Sequence, residues 1–249
     1  MENTNYSELV VIGVGTQGKN IAEQIGKECA WVSCFSFQDE KEMDDWGEKH
    51  LSEKILAVIV SCMDDANEEM AVARLVKDAK KNNAFAVVIL GARGDHYTEI
   101  ADNSDAVLLC SKSQHASADK QYKKLYDAVR GLALVNAPEA VVSLDVSDIA
   151  IVLQGECQFG VGTAKNALIA ARQALNGLSG HNCLLYFLAP EALSPCTETL
   201  SLCDVNEVIC KAVERLDEDA NILFGLSYQT EKTGKEKDFV QIVAYTSVA

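Results

Sequence analysis

Apolar residues in the first half of the chain form short continuous runs separated by stretches in which they recur at helical spacing. The runs predict five buried parallel strands, at residues 9–13, 30–37, 55–61, 85–90 and 106–110. Helical spacing predicts helices at residues 18–27, 68–81 and 118–135. The acidic stretch 38–54 predicts a surface loop with a helical piece. Strands that alternate with helices indicate an α/β fold with a Rossmann-like, mainly parallel sheet.

The pattern changes after the long helix at 118–135. An Ala-rich helix is predicted at 163–175 and a further helix at 204–216. Strands are predicted at 184–188, 221–228 and 239–246, and we expect the last two to pair through the polar turn at 232–235. We therefore predict a Rossmann-like domain at 1–136 that includes the central helix. A smaller α+β domain at 137–249 would follow, with a separate mixed or antiparallel sheet.

Composition narrows the classes of partner. The chain has 249 residues and a formal net charge of −15, which disfavours a nucleic-acid surface and an anionic membrane. The apolar runs are all shorter than the roughly 20 residues of a membrane span, so we expect no membrane insertion. The nine cysteines form no CxxC pair, and the polar N-terminus lacks a signal-peptide core. Reduced thiols in a cytoplasmic protein are the expectation.

A glycine turn at residues 13–18 follows the first strand. Gly13, Gly15 and Gly18 match G-x-G-x-x-G between a strand and a helix, where backbone amides can hold a phosphate. A dinucleotide-binding domain would add an acidic residue at the end of the second strand. The first acids there, Asp39 and Glu40, lie slightly beyond that position. The alternative is a tight strand-to-helix turn without a ligand.

Several segments in order along the chain resemble the FtsZ/tubulin family. Residues 143–148, with Asp145 and Asp148, resemble the FtsZ loop N-x-D-x-x-D after the central helix, with Ser143 in place of the asparagine. Further matches are the glycine turn with Asn20, the pair Gly160 and Gly162 before an Ala-rich helix, residues 200–208 and residues 220–225. The resemblance covers nearly the whole chain and implies an FtsZ-like fold.

The departures from this family concern the nucleotide. FtsZ carries a loop G-G-G-T-G-T-G that holds the triphosphate, and its counterpart here is residues 64–70. This stretch has no glycine and carries four carboxylates: Asp64, Asp65, Glu68 and Glu69. Lys123 stands where FtsZ reads guanine with an aspartate. The resemblance therefore implies a degenerate nucleotide site, lost GTPase activity and no expected cofactor. Binding of GTP or GDP through Gly13, Gly15, Gly18 and Asn20 is disfavoured.

Both acidic sets also allow other interpretations. Asp64, Asp65, Glu68 and Glu69 are typical of a solvated helix N-terminus, and they are candidate oxygen ligands for a divalent cation. In FtsZ, the paired aspartates of one subunit reach into the nucleotide site of the next. Here Asp145 and Asp148 are vestigial or interface residues, or they simply cap a helix.

Two hypotheses about function follow. The first is an FtsZ-like pseudo-GTPase that acts through protein–protein contact, as a cytoskeletal or cell-division subunit or regulator. Its partner would be FtsZ or another copy of the chain. The second is a nucleotide-binding enzyme or switch that uses residues 13–20 in another way. A cation-binding scaffold is a third possibility.

Overall fold

The computed structural model of the chain describes residues 8–43, 46–52, 55–110, 118–135, 137–190, 200–217, 219–229 and 239–248. The chain divides into two compact units. Unit 1 comprises Met1–Ala133 and Gln154–Cys157, and unit 2 comprises Leu134–Leu153 and Gln158–Ala249. The domain boundary between 136 and 137 stays a prediction.

Unit 1 alternates strands and helices. Its strands are β1 (Leu9–Val14), β2 (Ser33–Phe37), β3 (Leu56–Ser61), β4 (Phe85–Leu90) and β5 (Ala106–Leu109). Its helices are α1 (Gly15–Glu28), α2 (Trp46–His50), α3 (Ala66–Lys81), α4 (Tyr97–Asn103) and α5 (Ala118–Val135), the last of which continues into unit 2. A short 3-10 helix spans Glu40–Met43. Helix α1 begins at Gly15, earlier than predicted, and α4 was not predicted.

The strands of unit 1 form a parallel sheet in the order β2-β1-β3-β4-β5. All residues of β1 and β3 are buried, as expected for strands covered on both faces. The apolar core includes Val10, Ile12, Ile59, Leu75 and Val88. The predicted mainly parallel α/β sheet is confirmed.

Unit 2 contains helices α6 (Val146–Val152), α7 (Ala167–Ala174) and α8 (Leu202–Val213). Its strands are β6 (Gly155–Ala164), β7 (Asn182–Pro190), β8 (Asn221–Gln229) and β9 (Val240–Ser247), of which β6 begins in unit 1. Strand β7 pairs with β8 in parallel and with β9 in antiparallel orientation. The predicted mixed sheet is confirmed, but the predicted pairing of the last two strands with each other is wrong. The turn proposed at 232–235 lies outside the described residues.

Strand β6 explains two further differences from the prediction. Its first residues pair with β5, and farther along it neighbours β9, so the nine strands follow one order, β2-β1-β3-β4-β5-β6-β9-β7-β8. The expectation of a separate second sheet is therefore wrong. The Ala-rich helix begins at Ala167 rather than at 163, because Thr163 and Ala164 still belong to β6.

Glycines of β6 bring this strand close to α7. A β-carbon on Gly160 would meet the carbonyl oxygen of Ala174 at 1.9 Å, and one on Gly162 would meet that of Ala170 at 1.9 Å. Glycine within a strand is typical of such close backbone approach.

Within the part of the chain that the structure describes, no helix combines the length and the apolar character that crossing a membrane requires.

Candidate functional site

Two of the three glycines in the glycine turn are required by packing inside unit 1. A β-carbon on Gly13 would meet the carbonyl oxygen of Gly18 at 2.1 Å. One on Gly18 would meet the carbonyl oxygen of Val60 at 2.5 Å. Helix α1 therefore starts in direct contact with the ends of β1 and β3, and these two glycines are explained without a ligand.

The third glycine, Gly15, is the first residue of α1 and has a φ of +72°. Its α-carbon faces the carboxylate of Glu68, which comes from the first turn of α3. A β-carbon on Gly15 would lie 1.8 Å from Oε1 of Glu68 and 2.7 Å from Oε2. A buried carboxylate thus occupies the space directly beside the start of α1.

Hydrogen bonds fix the carboxylate of Glu68 in this position. The hydroxyl of Ser61, at the end of β3, donates to Oε2 over 2.8 Å. The amide of Asp64 donates to the same oxygen over 3.2 Å. Glu68 as a whole residue is 6% exposed. Burial raises the pKa of Glu68 above its ordinary value, and the bonds from Ser61 and Asp64 oppose that shift.

Glu69, the next residue of α3, points to a second turn. Its Oε2 accepts a hydrogen bond from the amide of His96 over 2.9 Å, in the connection between β4 and α4. A β-carbon on Gly94 would meet Oε1 of Glu69 at 2.1 Å. Glu68 and Glu69 are adjacent in sequence and both are buried, but their carboxylates reach two different glycine-containing turns.

The other two acids of this segment are exposed. Oδ1 of Asp65 accepts hydrogen bonds from the amides of Asn67 and Glu68, over 2.8 Å and 2.9 Å, so Asp65 is the N-cap of α3. Asp64 is exposed as well. The interpretation of all four acids as a solvated helix end is correct for Asp64 and Asp65. It is wrong for Glu68 and Glu69, whose carboxylates are bound inside unit 1.

The hydrogen bonds of these acids also concern the cation site for which they were predicted as candidate ligands. The carboxylates of Asp65, Glu68 and Glu69 accept hydrogen bonds from three separate sets of donors. Among the described residues, no group of three or more His, Cys, Asp or Glu side chains is placed to hold a metal ion.

The resemblance to FtsZ in the sequence implies a nucleotide, whose phosphates would need space beside the glycine turn. A phosphate oxygen approaching Gly15 from the side of α3 would overlap the Glu68 carboxylate, since that space is already filled. Two like charges ~4 Å apart repel by ~1 kcal/mol in water and by several-fold more near a protein. The residues in this conformation do not fit a phosphate at that position.

Asp145 and Asp148 lie at the start of α6 in unit 2. They form a reciprocal capping box: Asp145 Oδ1 accepts from the amide of Asp148 over 2.9 Å, and Asp148 Oδ2 accepts from the amide of Asp145 over 3.0 Å. The hydroxyl of Ser147 also donates to Asp145, and this bond holds the pKa of Asp145 below its ordinary value. Capping thus accounts for both aspartates, while an interface role stays a prediction. Asn20 on α1 and Lys123 on α5 are both exposed.

Sequence patterns did not identify the residues that hold Glu68 and Glu69. Ser61 ends an apolar strand, and its role depends on a side chain that arrives from the following helix. Gly94 and His96 follow the apolar run of β4, as the glycine turn follows β1. A second glycine-containing turn after a buried strand was the available signal.

Similarity to known sequences is limited. No protein-family model matches the chain. A segment of 116 residues is 26% identical to the mitochondrial division protein fszA of Dictyostelium discoideum, covering 45% of this chain and 22% of that protein. The chain thus spans about a fifth of the length of this curated relative.

Solved structures match much more of the chain. An FtsZ dimer of M. jannaschii, described as empty, has a TM-score of 0.78 at 14% identity, over 96% of this chain and 88% of that chain. An FtsZ variant of M. jannaschii gives a TM-score of 0.77 at 15% identity, over 96% and 91%. CetZ from Methanosaeta thermophila strain DSM 6194 gives 0.64 at 12% identity, over 96% and 86%.

These similarities define the fold. The fold is of the FtsZ/tubulin type, with parallel strands in unit 1, the helix α5, and parallel and antiparallel strand pairs in unit 2. The resemblance to FtsZ predicted from the sequence is confirmed at the level of the fold.

Proposed function

We propose that this protein is an FtsZ-like pseudo-GTPase that acts through protein–protein contact in the cytoplasm, as a cytoskeletal or cell-division subunit or regulator. The observation that carries the loss of GTPase activity is the contact of Glu68 with Gly15. The division role draws support from the FtsZ-like fold and from the name of the relative fszA. The partner is FtsZ or a second copy of this chain.

Chemistry connects that contact to activity. Hydrolysis of a nucleotide triphosphate requires its phosphates to be held by backbone amides and compensating charge while water attacks. In this chain the segment 64–69 contributes carboxylates rather than glycine amides, and Glu68 fills the space at the start of α1. Repulsion between these carboxylates and a triphosphate lowers affinity before chemistry begins.

Phosphate release measured with GTP and Mg²⁺ at high protein concentration tests the proposal. We expect release indistinguishable from that of a buffer blank. The decisive control is Asp145→Ala, because Asp145 matches the aspartate that serves hydrolysis in FtsZ. Turnover by the wild type that disappears in Asp145→Ala would show a working GTPase.

One observation favours a second candidate, a nucleotide-binding protein that retains the glycine turn. Gly15 keeps the positive φ of +72° that a phosphate-binding turn uses, and Asn20 is exposed on α1. This candidate predicts nucleotide that stays bound through native purification. The absorbance ratio of the pure protein, followed by chromatography of any released ligand, distinguishes the two candidates.

A further inference from the structure

We propose that the Glu68 side chain is an autoinhibitory contact: it occupies the place beside Gly15 in which the glycine turn would otherwise accept an oligophosphate. This rests on the proposed function, in which the wild-type chain binds no nucleotide. It adds that the loss is caused mainly by one removable side chain, and that the turn beneath it keeps its capacity for an anion.

The start of α1 is suited to an anion from outside the helix. The first turn of α1 has no acidic residue, and Val14 at its N-cap has an apolar side chain that cannot cap the helix. The N-terminus of a helix favours negative charge, because its first amides lack partners within the helix. Glu68 supplies a carboxylate to this place from α3 and so stands where a free anion would go.

Contacts of Glu68 show that it is held independently of the turn. Its carboxylate accepts from the hydroxyl of Ser61 at the end of β3 and from the amide of Asp64 in the connection that follows. The nearest neighbours of Gly13 and Gly18 are backbone atoms rather than atoms of Glu68. The backbone contacts of Gly13 and Gly18 should therefore persist when the carboxylate is removed.

Glu69 provides a matched control. It belongs to the same turn of α3, is similarly buried and carries the same formal charge, but it binds the turn at Gly94 and His96. Removing Glu69 changes the net charge equally and leaves the space beside Gly15 filled.

The experiment measures binding of GTP and of inorganic pyrophosphate by titration calorimetry at low ionic strength. The proteins are the wild-type chain, Glu68→Ala, Glu68→Asp, Glu68→Gln and Glu69→Ala. We expect no binding by the wild type, Glu68→Gln or Glu69→Ala. We expect Glu68→Ala and Glu68→Asp to bind at least about tenfold more tightly than the wild type, because their shorter side chains no longer fill the space beside Gly15, which glutamine at residue 68 still fills. Gly15→Ala added to Glu68→Ala should abolish the gain.

The failure of the proposed function and the failure of the autoinhibitory contact give different results. A wild type that binds GTP as tightly as Glu68→Ala overturns the proposed function. If the wild type binds no ligand, and Glu68→Ala and Glu68→Asp are folded but also bind none, only the autoinhibitory contact is overturned. Equal gain in Glu69→Ala overturns it too, since charge alone would then be responsible. If neither Glu68→Ala nor Glu68→Asp gives the wild-type circular dichroism spectrum, Glu68 is a structural residue and the inference fails.

Discussion

Oε1 of Glu68 lies 1.8 Å from the point where alanine would place a β-carbon at residue 15, so Gly15 and Glu68 are sterically matched. The match joins two elements far apart in sequence, the start of α1 and the first turn of α3. Because the carboxylate is also bound to Ser61, the contact links the end of β1 and the start of α1 to the end of β3 in unit 1.

Gly15→Ala is expected to lower the free energy of unfolding by about 2.5–5 kcal/mol. About 1–2 kcal/mol comes from placing a β-carbon on a residue with positive φ. About 1.5–3 kcal/mol comes from displacing Glu68 from Ser61 and the amide of Asp64. Denaturant unfolding followed by circular dichroism measures the change.

Gly155→Ala is the control for that substitution. Gly155 also has a positive φ, +64°, but within the described part of the chain nothing lies within 4 Å of the place its β-carbon would take. Gly155→Ala should therefore lower the free energy of unfolding only by the cost of the positive φ, about 1–2 kcal/mol. In a Glu68→Ala background, the loss of unfolding free energy caused by Gly15→Ala should fall to the same value. An equal effect of Gly15→Ala and Gly155→Ala in the wild-type background would contradict the steric match.

Stability should depend on pH through Glu68. Its pKa in the folded protein is raised by burial and, more weakly, by the charges of Asp64 and Asp65. An acid with a raised folded-state pKa destabilises the fold when it is ionised, and this penalty disappears as pH falls through the raised pKa toward the ordinary value of about 4.5. The wild type should therefore gain stability relative to Glu68→Gln between pH 7 and about pH 4.5.

Melting temperatures of both proteins across this pH range test the sign. The difference between them cancels the titration of other acids, provided those are unchanged. Glu23→Gln, an exposed substitution on α1 that alters the net charge equally, gives the baseline. A wild type that loses stability relative to Glu68→Gln as the pH falls would reverse the assignment.

In unit 2, Tyr186→Phe should destabilise the fold by about 1–3 kcal/mol. Tyr186 on β7 is fully buried, and its hydroxyl donates to the carbonyl of Leu134 and contacts the hydroxyl of Ser227 over 2.6 Å. Removing the hydroxyl leaves buried polar groups without this partner. Tyr228→Phe, at a tyrosine that is 41% exposed, should change the melting temperature little. Similar effects of the two substitutions would show that the buried hydroxyl contributes nothing specific.

The fold was predictable where burial gives a strong pattern. The apolar runs of β1, β3 and β4 and the helical spacing of α3 and α5 were sufficient to indicate the parallel sheet of unit 1. Strand β6 was missed because Gly160 and Gly162 dilute its apolar pattern, and those glycines serve the approach of α7. The partners of β8 and β9 were wrong because their proximity in sequence favoured a hairpin, whereas both flank β7.

The candidate site was predictable only in part. The sequence located the glycine turn and the acidic segment, and it indicated that Asp145 could cap a helix. It did not distinguish the exposed Asp65 from the buried Glu68, since helix spacing does not specify which acids meet a glycine turn in space. That distinction depends on tertiary contacts between α3 and the ends of β1 and β4.

Assembly provides the last prediction. If the chain stacked head to tail as FtsZ does, one subunit would present Asp64 and Asp65 and the next would present Asp145 and Asp148. Of the four acids in the segment 64–69, only Asp64 and Asp65 are exposed, because Glu68 and Glu69 are buried. The formal net charge of −15 still disfavours the contact. We expect no filaments of the protein alone in chelator at low salt, measured by light scattering and electron microscopy.

The response to cations and to charge removal gives the cause. If repulsion between these faces prevents stacking, Mg²⁺ or Ca²⁺ and the paired change Asp64→Asn with Asp65→Asn should each increase scattering. Glu207→Gln with Glu214→Gln, on and beside α8, is a matched change far from these faces in sequence. It removes the same number of negative charges and should not increase scattering. Filaments in chelator without nucleotide would show that another face drives assembly. Filaments promoted equally by both paired changes would assign the effect to total charge, because long-range repulsion between whole subunits depends on net charge rather than on its position.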